Sequence, residues 1–556
     1  MRFLIGIIFF FIFPVTTFSQ IISVDFKESA ALQGRRMDFV IKLKSTWTNP
    51  YLQEDIKLDM EIYTASGEVL LQPCFYVKGQ SGDISEWNAR FSPRQHGDYH
   101  FKFVLSKNGK IVATSRKFDA RVRETAEKGF LSVKNNWSLQ FDNGTSFRGI
   151  AENICWESRR KDDSKYYAAL HQNASVYNYD RMLAEFAENG GNFFRTWICP
   201  WNLPIDFQDG FNNDRYQSDP AHFNPSAVRR LDHLVDLADS LDLYVMLTLG
   251  MGNFRSDNIG GVKTTDEFFA AEEAKTLYKN RLRYIVSRWG YSPHIAMWEF
   301  LNEVDNIQFN GREKPISSKA IVEWHTEMAT YLKKIDPYKH IVTTSISHRD
   351  IPGLNDIEAI DINQKHIYKH TDLIPSEINA YSTKHKKPYV IGEFGYEWDW
   401  QQNFDDFAYE MELDFKRGLW YGLFSSTPIL PMSWWWEYFQ NRDMLPYYRG
   451  VRQLSDRMLL NGKGEFKPLA LKAGRLEAYG VKCGEELYIY LYNPTNEVFS
   501  SSVEILDIIG NKKEIQSFDP LTLKYQAEEL KDHQDGKILL KDLFVGSKKE
   551  KLYIIK

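Results

Sequence analysis

Cysteine is scarce in this sequence, with four in 556 residues, and no two of them form a CxxC pair. Cys74, Cys155, Cys199 and Cys483 are too far apart for a dense disulfide framework or for the usual zinc-binding spacings. We therefore expect four free or buried thiols. Cys155 and Cys199 could still be neighbours if they lie at the ends of adjacent strands, and the sequence alone leaves that pairing open.

An excess of one charge is also missing, because the formal net charge is −5 and no long run of like charge occurs. This disfavours nucleic acid as a partner, since a nucleic-acid-binding surface needs a basic patch. No GxGxxG or GKS/T turn follows a candidate strand, and neither HExxH nor GxSxG is present. The sequence therefore predicts no cofactor, no bound metal and no serine nucleophile.

Long hydrophobic runs are absent except at the N-terminus. Arg2 precedes an apolar stretch from Leu4 to Phe13, and small and polar residues follow up to Ser19. The stretch is about half of the roughly 20 residues that a membrane span needs. We therefore predict a secretory signal peptide over residues 1–20, no membrane span, and export to the periplasm or the extracellular space.

The two ends of the mature chain have the pattern of β-sheet proteins. Residues 21–122 alternate apolar and polar side chains, with an Asn108-Gly109 hairpin signal and a tyrosine-corner-like segment around Tyr99. We predict an immunoglobulin-like β-sandwich there. Strand-like segments return over residues 465–556, where we predict a small second β-sandwich.

The middle of the chain, residues 130–462, alternates short apolar strands with amphipathic helices. Eight such units in this length indicate an α/β fold, a (β/α)₈ TIM barrel with enlarged loops. A doubly wound open sheet is the alternative, but its glycine-rich nucleotide signature is missing. The eight candidate strands are SFRGIAEN, NFFRTWI, YVMLTLGM, IAMWEFLNE, HIVTTSI, AIDINQKHIY, PYVIGEFGYE and GLFSSTPILPMSWWW.

Polar and aromatic side chains stand at the predicted carboxyl ends of these strands, where barrel enzymes have their active sites. Two of them are glutamates, Glu303 on strand four and Glu393 on strand seven. Two opposed carboxyl groups are what glycoside hydrolysis requires, one as acid/base and one as nucleophile or general base. The other strand-end candidates are Asn153, Arg195, Trp201, Asn302, His366, Tyr368, Trp434 and Trp435.

Six motifs follow one another along the chain: FRGIAEN, FFRTWI, WEFLNEVD, QKHIY, YVIGEFG and the tryptophans of strand eight. In this order they resemble clan A glycoside hydrolases, nearest to the cellulase-like family 5. The resemblance implies a retaining mechanism on a β-linked glycan, with Glu303 as acid/base and Glu393 as nucleophile. It implies support of the nucleophile by Arg195 and Tyr368, and a stacking platform from a strand-eight tryptophan. It also matches Asn302 to the asparagine that precedes the acid/base and His366 to the histidine of strand six. Trp434 or Trp435 would be the stacking platform.

Several points remain open at this level. Glu299 shares strand four with Glu303, and we expect it to lie deeper in the barrel, paired rather than catalytic. Asn153 and Trp201 could contact sugar or only fix loops. Adjacent residues on a regular strand face opposite sides, so Asn302 and Glu303 can both reach the site only if the strand ends or bulges there.

Two further departures concern substrate and activity. The segment after strand one is long and polar, and YVMLTLGMGNF lacks the histidine that the family has near strand three. The sequence therefore does not choose among glucans, mannans and other glycans, or between endo and exo cleavage. The main interpretation is a hydrolase of a polysaccharide or oligosaccharide. The alternatives are a glycan-binding protein on a catalytically weak barrel and a transglycosylase using the same glutamates.

Overall fold

The structure is a computed structural model that describes residues 20–27, 31–159, 177–250, 264–309, 314–508, 514–529, 533–534 and 536–556. Residues 1–19 of the predicted signal peptide and most of the long segment after strand one lie outside the described residues. Among the described residues, no helix combines the length and apolarity that a bilayer-spanning segment needs.

The N-terminal strands form two antiparallel sheets, one of four strands and one of five, whose alternating apolar residues meet in one hydrophobic cluster. The Tyr99 hydroxyl donates to the Gln95 carbonyl at 3.0 Å, which is the contact of a tyrosine corner. The strands are Ile21–Phe26, Met37–Lys44, Ile56–Tyr63, Val69–Pro73, Phe75–Lys78, Ile84–Phe91, Gly97–Lys107, Lys110–Thr114 and Phe118–Val122.

The middle of the chain has the predicted alternation of parallel strands and helices. A three-stranded antiparallel sheet precedes it, with strands Leu131–Val133, Leu139–Phe141 and Ser146–Phe147. Seven central strands follow, which we number one to seven in chain order. They are Ala151–Asn153, Phe193–Trp197, Tyr244–Thr248, Ile295–Glu299, Ile341–Thr343 continued by Ser345–Ile346, Asn363–Tyr368 and Tyr389–Gly395.

Each central strand pairs in parallel with the next one in the chain. The predicted eighth strand forms isolated parallel bridges instead of a continuous ladder. Ile429 bridges Gly149, and Ser433 bridges both Glu152 and Phe394, so this segment touches strand one and strand seven at once. All the carboxyl ends of the central strands therefore lie at one edge, which is where a shared site can form.

Helices cover the central strands. Three of the longer ones each bury one apolar face, as expected of amphipathic helices. Asn224 caps one of them by accepting from the Ser226 and Ala227 amides, and Pro225 is its first residue. The α-helices are Tyr179–Glu188, Pro225–Ser240, Thr265–Ala270, Glu272–Trp289, Val304–Phe309, Ser318–Ile335, Ile374–His385, Ala408–Leu423, Trp436–Asn441 and Tyr447–Gly462. Short 3₁₀ helices are Leu354–Asp356, Thr371–Leu373 and Phe404–Phe407.

The C-terminal strands form a six-stranded and a four-stranded sheet that also share a hydrophobic cluster. They contact the central helices through Glu550, which accepts from the Trp420 indole at 3.1 Å. The strands are Phe466–Pro468, Leu471–Lys472, Glu477–Cys483, Glu486–Tyr492, Phe499–Ile508, Ile515–Asp519, Lys524–Glu528, His533–Gln534, Gly536–Val545 and Glu550–Ile555.

The cysteine expectation is confirmed. All four cysteines are buried free thiols. Cys155 and Cys199 therefore do not form the disulfide that the sequence left open.

Candidate active site

The site is built at the carboxyl ends of the central strands. Two aligned pairs of neighbours set its geometry: Asn153 lies opposite Arg195, and His366 lies opposite Glu393. A register irregularity just before His366 brings it level with the glutamate. Polar side chains from strands one, two, six and seven therefore meet at the carboxyl ends of these strands. Apolar residues of the central strands form a hydrophobic core.

Arg195 is the centre of the polar network and is fully buried. Its Nη1 donates to Glu393 Oε1 at 2.7 Å and to Asn153 Oδ1 at 3.2 Å. Its Nη2 donates to Asn302 Oδ1 at 2.7 Å and to Glu299 Oε1 at 2.9 Å, and its Nε donates to Glu299 Oε2 at 2.6 Å. One planar guanidinium thus ties strands one, two, four and seven together.

Glu299 is the deep, paired carboxylate that the sequence suggested. It is fully buried and accepts from Arg195, from the Thr248 hydroxyl at 2.5 Å and from the Gln364 amide at 2.8 Å. Burial acts to raise the pKa of Glu299, but the charge and hydrogen bonds of Arg195 outweigh burial and lower the pKa below its ordinary value. With both of its oxygens engaged, Glu299 fixes the orientation of Arg195.

Glu393 is buried, with 3% of its surface exposed, and faces three donors. Arg195 and the Tyr368 hydroxyl each donate at 2.7 Å, and His366 Nδ1 lies 3.4 Å from Oε2. Burial raises the pKa of Glu393 above its ordinary value, while His366, Arg195 and the Tyr368 hydrogen bond act in the opposite sense. The pKa of Tyr368 is also raised, mainly by burial, so its hydroxyl remains a donor.

Glu303 has a different backbone from its neighbours. Strand four ends at Glu299, and Glu303 has a φ of +47°, in the left-handed region. Its amide donates to Ser345 Oγ at 2.9 Å. Because the strand has ended, Asn302 and Glu303 both face the site, as the sequence required. The Glu303 carboxylate accepts from Asn306 Nδ2 at 2.8 Å and contacts His366 Nδ1 at 2.9 Å.

His366 lies between the two glutamates. Burial acts to lower the pKa of His366, but the charge of Glu393 and the hydrogen bond to Glu303 raise it above its ordinary value. Its Nδ1 faces a carboxylate on either side, so we assign the proton to that nitrogen. One carboxylate oxygen of Glu303, one carboxylate oxygen of Glu393 and one ring nitrogen of His366 all lie within 4.8 Å of one another.

The same three residues are the only group of three that could ligate a metal ion among the residues the structure describes. Glu393 already accepts from Arg195 and Tyr368, and Glu303 already accepts from Asn306. A cation bound there would stand next to the Arg195 guanidinium, which is 2.7 Å from Glu393. This donor set suits proton transfer better than metal binding.

The two tryptophans predicted as platforms differ in burial. Trp434 is partly exposed and packs against Trp156, Trp197 and Trp436, at ring distances of 5.5, 5.5 and 5.2 Å. Trp435 is buried, has a φ of +65°, and donates its indole N–H to the carbonyl of a loop residue at 2.6 Å. Of the two predicted platforms, Trp434 is the one with part of its surface exposed.

Of the remaining two candidates, Asn153 belongs to the polar network, and Trp201 packs against Trp156 and Arg159. The Asn153 amide donates to the carbonyls of Gly392, Met432 and Ser433, so it joins strand one to strand seven and to the eighth segment. Trp201 is half-buried beneath the guanidinium of Arg159, 4.9 Å from the ring centre.

Sequence reasoning missed five contributors: Thr248, Gln364, Asn306, Ser345 and Trp197. Gln364 had a readable signal, because it precedes His366 by two residues and so points to the same face of strand six. Thr248 is the last residue of strand three, so a search for polar residues at strand ends could have found it. Asn306 and Ser345 contact Glu303 only because of its left-handed backbone, which no spacing rule indicates.

Residues 162–412 match the family described as cellulase, glycosyl hydrolase family 5. This range contains both glutamates, together with Arg195, His366 and Tyr368. Mannan endo-1,4-beta-mannosidase A of Podospora anserina is 25% identical over 264 residues, which is 40% of this chain and 68% of that protein. Mannan endo-1,4-beta-mannosidase 3 of Oryza sativa subsp. japonica is 25% identical over 252 residues, 40% of this chain and 48% of that protein.

Among solved structures, a Bacteroides vulgatus protein assigned as a glycoside hydrolase superposes with a TM-score of 0.61 at 14% identity. The match covers 93% of this chain and 98% of that one, so the likeness of fold extends beyond the central strands to both ends. The chain spans 68%, 48% and 37% of the length of three of the curated mannosidases it matches, the third being mannan endo-1,4-beta-mannosidase 1 of Oryza sativa subsp. japonica.

Proposed function

We propose that this clan A glycoside hydrolase, similar to family 5, is an exported retaining enzyme that hydrolyses β-glycosidic bonds of a polysaccharide. One observation carries the proposal: carboxylate oxygens of Glu303 and Glu393 lie within 4.8 Å of each other, with His366 between them. Retaining glycosidases hold their carboxyl groups about 5–5.5 Å apart, whereas inverting ones need about 6.5–9.5 Å to admit a water. The spacing supports direct attack by Glu393.

In the first step, Glu393 attacks the anomeric carbon while Glu303 gives its proton to the departing glycosidic oxygen. The C–O bond to the leaving group breaks as the bond to Glu393 forms, through an oxocarbenium-like transition state. Arg195 and Tyr368 donate to both oxygens of Glu393, so its attacking lone pair has a fixed direction. The product is a covalent glycosyl-enzyme and a released sugar hydroxyl.

In the second step, Glu303 takes a proton from water and the hydroxide attacks the anomeric carbon, releasing Glu393 and a sugar of retained configuration. Glu303 must therefore gain and lose a proton in every turnover. His366 Nδ1 contacts both glutamates, so its N–H can donate to whichever of them is ionised. No cofactor enters either step.

The substrate we propose to test first is β-1,4-mannan, because the named relatives are mannan endo-1,4-beta-mannosidases. Trp434 would stack on the sugar bound next to Glu393. We further propose that the central strands close as a (β/α)₈ barrel through the 429–433 segment, and that the flanking sheets form β-sandwich modules. Export rests on the predicted signal peptide.

The test is hydrolysis of a panel of β-mannans, β-glucans and related glycans by the wild type, Glu393→Ala and Glu303→Ala. Loss of activity by several orders of magnitude in both variants, with azide rescuing Glu393→Ala as a glycosyl azide of inverted configuration, is the expected result. Glu323→Gln is the matched control, because Glu323 is exposed on the surface of Ser318–Ile335. Full activity in either catalytic variant would refute the assignment.

The same panel separates the alternatives. Acceptor sugars that divert most of the product into longer oligosaccharides would identify a transglycosylase. Binding without turnover by the wild type would identify a glycan-binding protein.

A further inference from the structure

Glu303 is held by residues outside its own strand. Its left-handed backbone, with a φ of +47°, is uncommon for a residue with a side chain and persists only where neighbouring contacts fix it. Ser345 accepts its backbone N–H at 2.9 Å, and the short helix Val304–Phe309 begins at the next residue. The position of the carboxylate is therefore set by what this helix and the end of strand five provide.

Asn306, on that helix, provides the contact to the carboxylate. Its Nδ2 donates to Glu303 Oε2 at 2.8 Å, while His366 Nδ1 lies on the other oxygen at 2.9 Å. A side-chain amide does not ionise in the neutral pH range, so Asn306 cannot replace Glu303 as an acid. Its contribution is to hold the plane of the carboxyl group in one orientation.

Asn306 is itself held by a second layer of contacts. Ser347 Oγ lies 2.6 Å from His348 Nδ1, 2.9 Å from Asp305 Oδ2 and 3.3 Å from Asn306 Oδ1, so the hydroxyl joins Asn306 to Asp305 and to the residue that follows it in the loop. With Oδ1 facing the Ser347 hydroxyl, the Asn306 amide can present only its NH₂ to Glu303.

Asp305 is the fixed point behind this layer. It is fully buried and accepts the backbone N–H groups of Ser347, His348 and Arg349 at 2.7, 3.2 and 3.0 Å. A buried carboxylate with this many donors ties the loop after strand five to the helix after strand four. The helix carries Asn306, and the loop begins two residues after Ser345, so this tie lies next to both of these Glu303 contacts.

We infer that Asn306 is a positioning residue for the acid/base, held in place by Asp305 through Ser347. The inference rests on the proposed function, because positioning matters only if Glu303 transfers protons. It adds three residues to the machinery, none of which lies on a central strand.

The test compares two aryl β-glycosides of the sugar found in the glycan panel, starting with β-mannobiosides. The 2,4-dinitrophenyl leaving group departs without a proton, whereas 4-methylumbelliferyl needs more acid assistance. We expect Asn306→Leu to lower kcat/KM about 10- to 100-fold on the poor leaving group and less than about 3-fold on the good one, a part of the 10²–10⁴ that general acid catalysis supplies.

Ser347→Ala removes only the hydroxyl and should give the same pattern with a loss of about 3- to 10-fold. It also keeps the test valid if Asn306→Leu does not fold. Gln308→Met is the matched control, because Gln308 lies on the same helix but donates to Ile316 and Ser318, away from Glu303. This control should leave both substrates unaffected.

Equal losses on both leaving groups, or no loss in either variant, would overturn the inference. Glu303→Ala serves as the reference for the proposed function. If Glu303→Ala itself shows no dependence on the leaving group, the acid/base assignment fails. If it does and Asn306→Leu and Ser347→Ala do not, only the positioning role fails.

Discussion

The two glutamates differ in what holds them. Glu393 lies inside strand seven, almost fully buried, and its donors come from strands two and six. Glu303 lies four residues beyond strand four on a left-handed backbone, with 21% of its side chain exposed, and contacts a short helix and the end of strand five. Glu393 is fixed by strands, and we refer to it as the sheet-held side. Glu303 lies beyond its strand and is fixed by Asn306 on the short helix together with strand-end contacts to Ser345 and His366, and we refer to it as the loop-held side.

The difference fits the two chemical tasks that we propose for Glu393 and Glu303. A nucleophile must meet one carbon atom from one direction, which a strand in a rigid sheet ensures. An acid/base exchanges its proton first with a leaving group and then with water, so it needs access to solvent. The exposure of Glu303 provides that access, and its helix and loop contacts restore the orientation that the strand no longer gives.

Breaking the sheet-held side should have the largest effect. Arg195→Met leaves Glu299 and Glu393 buried without their cation, and breaking a buried ion pair in this way costs about 3–5 kcal/mol of folding free energy. We expect kcat/KM to fall at least about 100-fold, as when one preorganised donor is removed. Thermal melts and kcat/KM measure the two losses.

Arg195→Lys is the control for charge alone. A lysine restores the charge but cannot donate to Glu299, Glu393 and Asn302 at once. It should recover part of the stability and little of the activity. A melting temperature like the wild type in Arg195→Met would contradict this account.

A smaller break on the same side is Tyr368→Phe, which removes one hydrogen bond to Glu393. Hydrogen bonds to charged groups contribute about 1.5–3 kcal/mol, so kcat/KM should fall about 10- to 150-fold. The effect should be similar for good and poor leaving groups, because the nucleophile acts on both. An effect confined to the poor leaving group would place Tyr368 with the acid/base instead.

The same variant tests the pKa of Glu393. Burial raises this pKa, so wild-type kcat/KM should decline on the acid side at a pH above the ordinary glutamate value of about 4.3. Only ionised Glu393 can attack, so activity is lost as the pH falls through its pKa. The Tyr368 hydroxyl favours the ionised form, and Tyr368→Phe should therefore move this limb to higher pH. An unchanged limb would show that the hydroxyl does not stabilise the carboxylate.

The contrast also explains what could be predicted from the sequence. Several residues that a strand positions could be found by counting to its carboxyl end: Arg195, His366 and Tyr368 each contact Glu393. Asn306 and Ser345 depend on a φ value at Glu303, and local chain reversals of this kind have no periodic signature.

Trp435 shows the same limit. The platform was left open between Trp434 and Trp435, and the structure separates them through a φ of +65° at Trp435. This residue turns back to donate to the Glu397 carbonyl. A loop conformation, and not the strand pattern, thus decides which of the two indoles is buried.

Ser345→Ala probes the loop-held side alone. It removes the acceptor of the Glu303 backbone N–H, so the left-handed conformation loses one of its contacts. We expect kcat/KM to fall about 3- to 10-fold on a poor leaving group, which corresponds to about 1 kcal/mol for one hydrogen bond, and to stay close to wild type on a good one. Equal losses on both substrates would mean that the sheet and loop sides are not separable.

The two tryptophans extend the contrast to substrate binding, with the smallest expected effect. Trp434→Phe keeps an aromatic ring but reduces the stacking area, so KM should rise about fivefold with kcat nearly unchanged, for a loss of about 1 kcal/mol. Trp435→Phe loses its 2.6 Å hydrogen bond to Glu397 and should lower the free energy of unfolding by about 1 kcal/mol while KM stays the same. If the two effects are exchanged, the sugar stacks on Trp435, and the loop that carries it must rearrange when substrate binds.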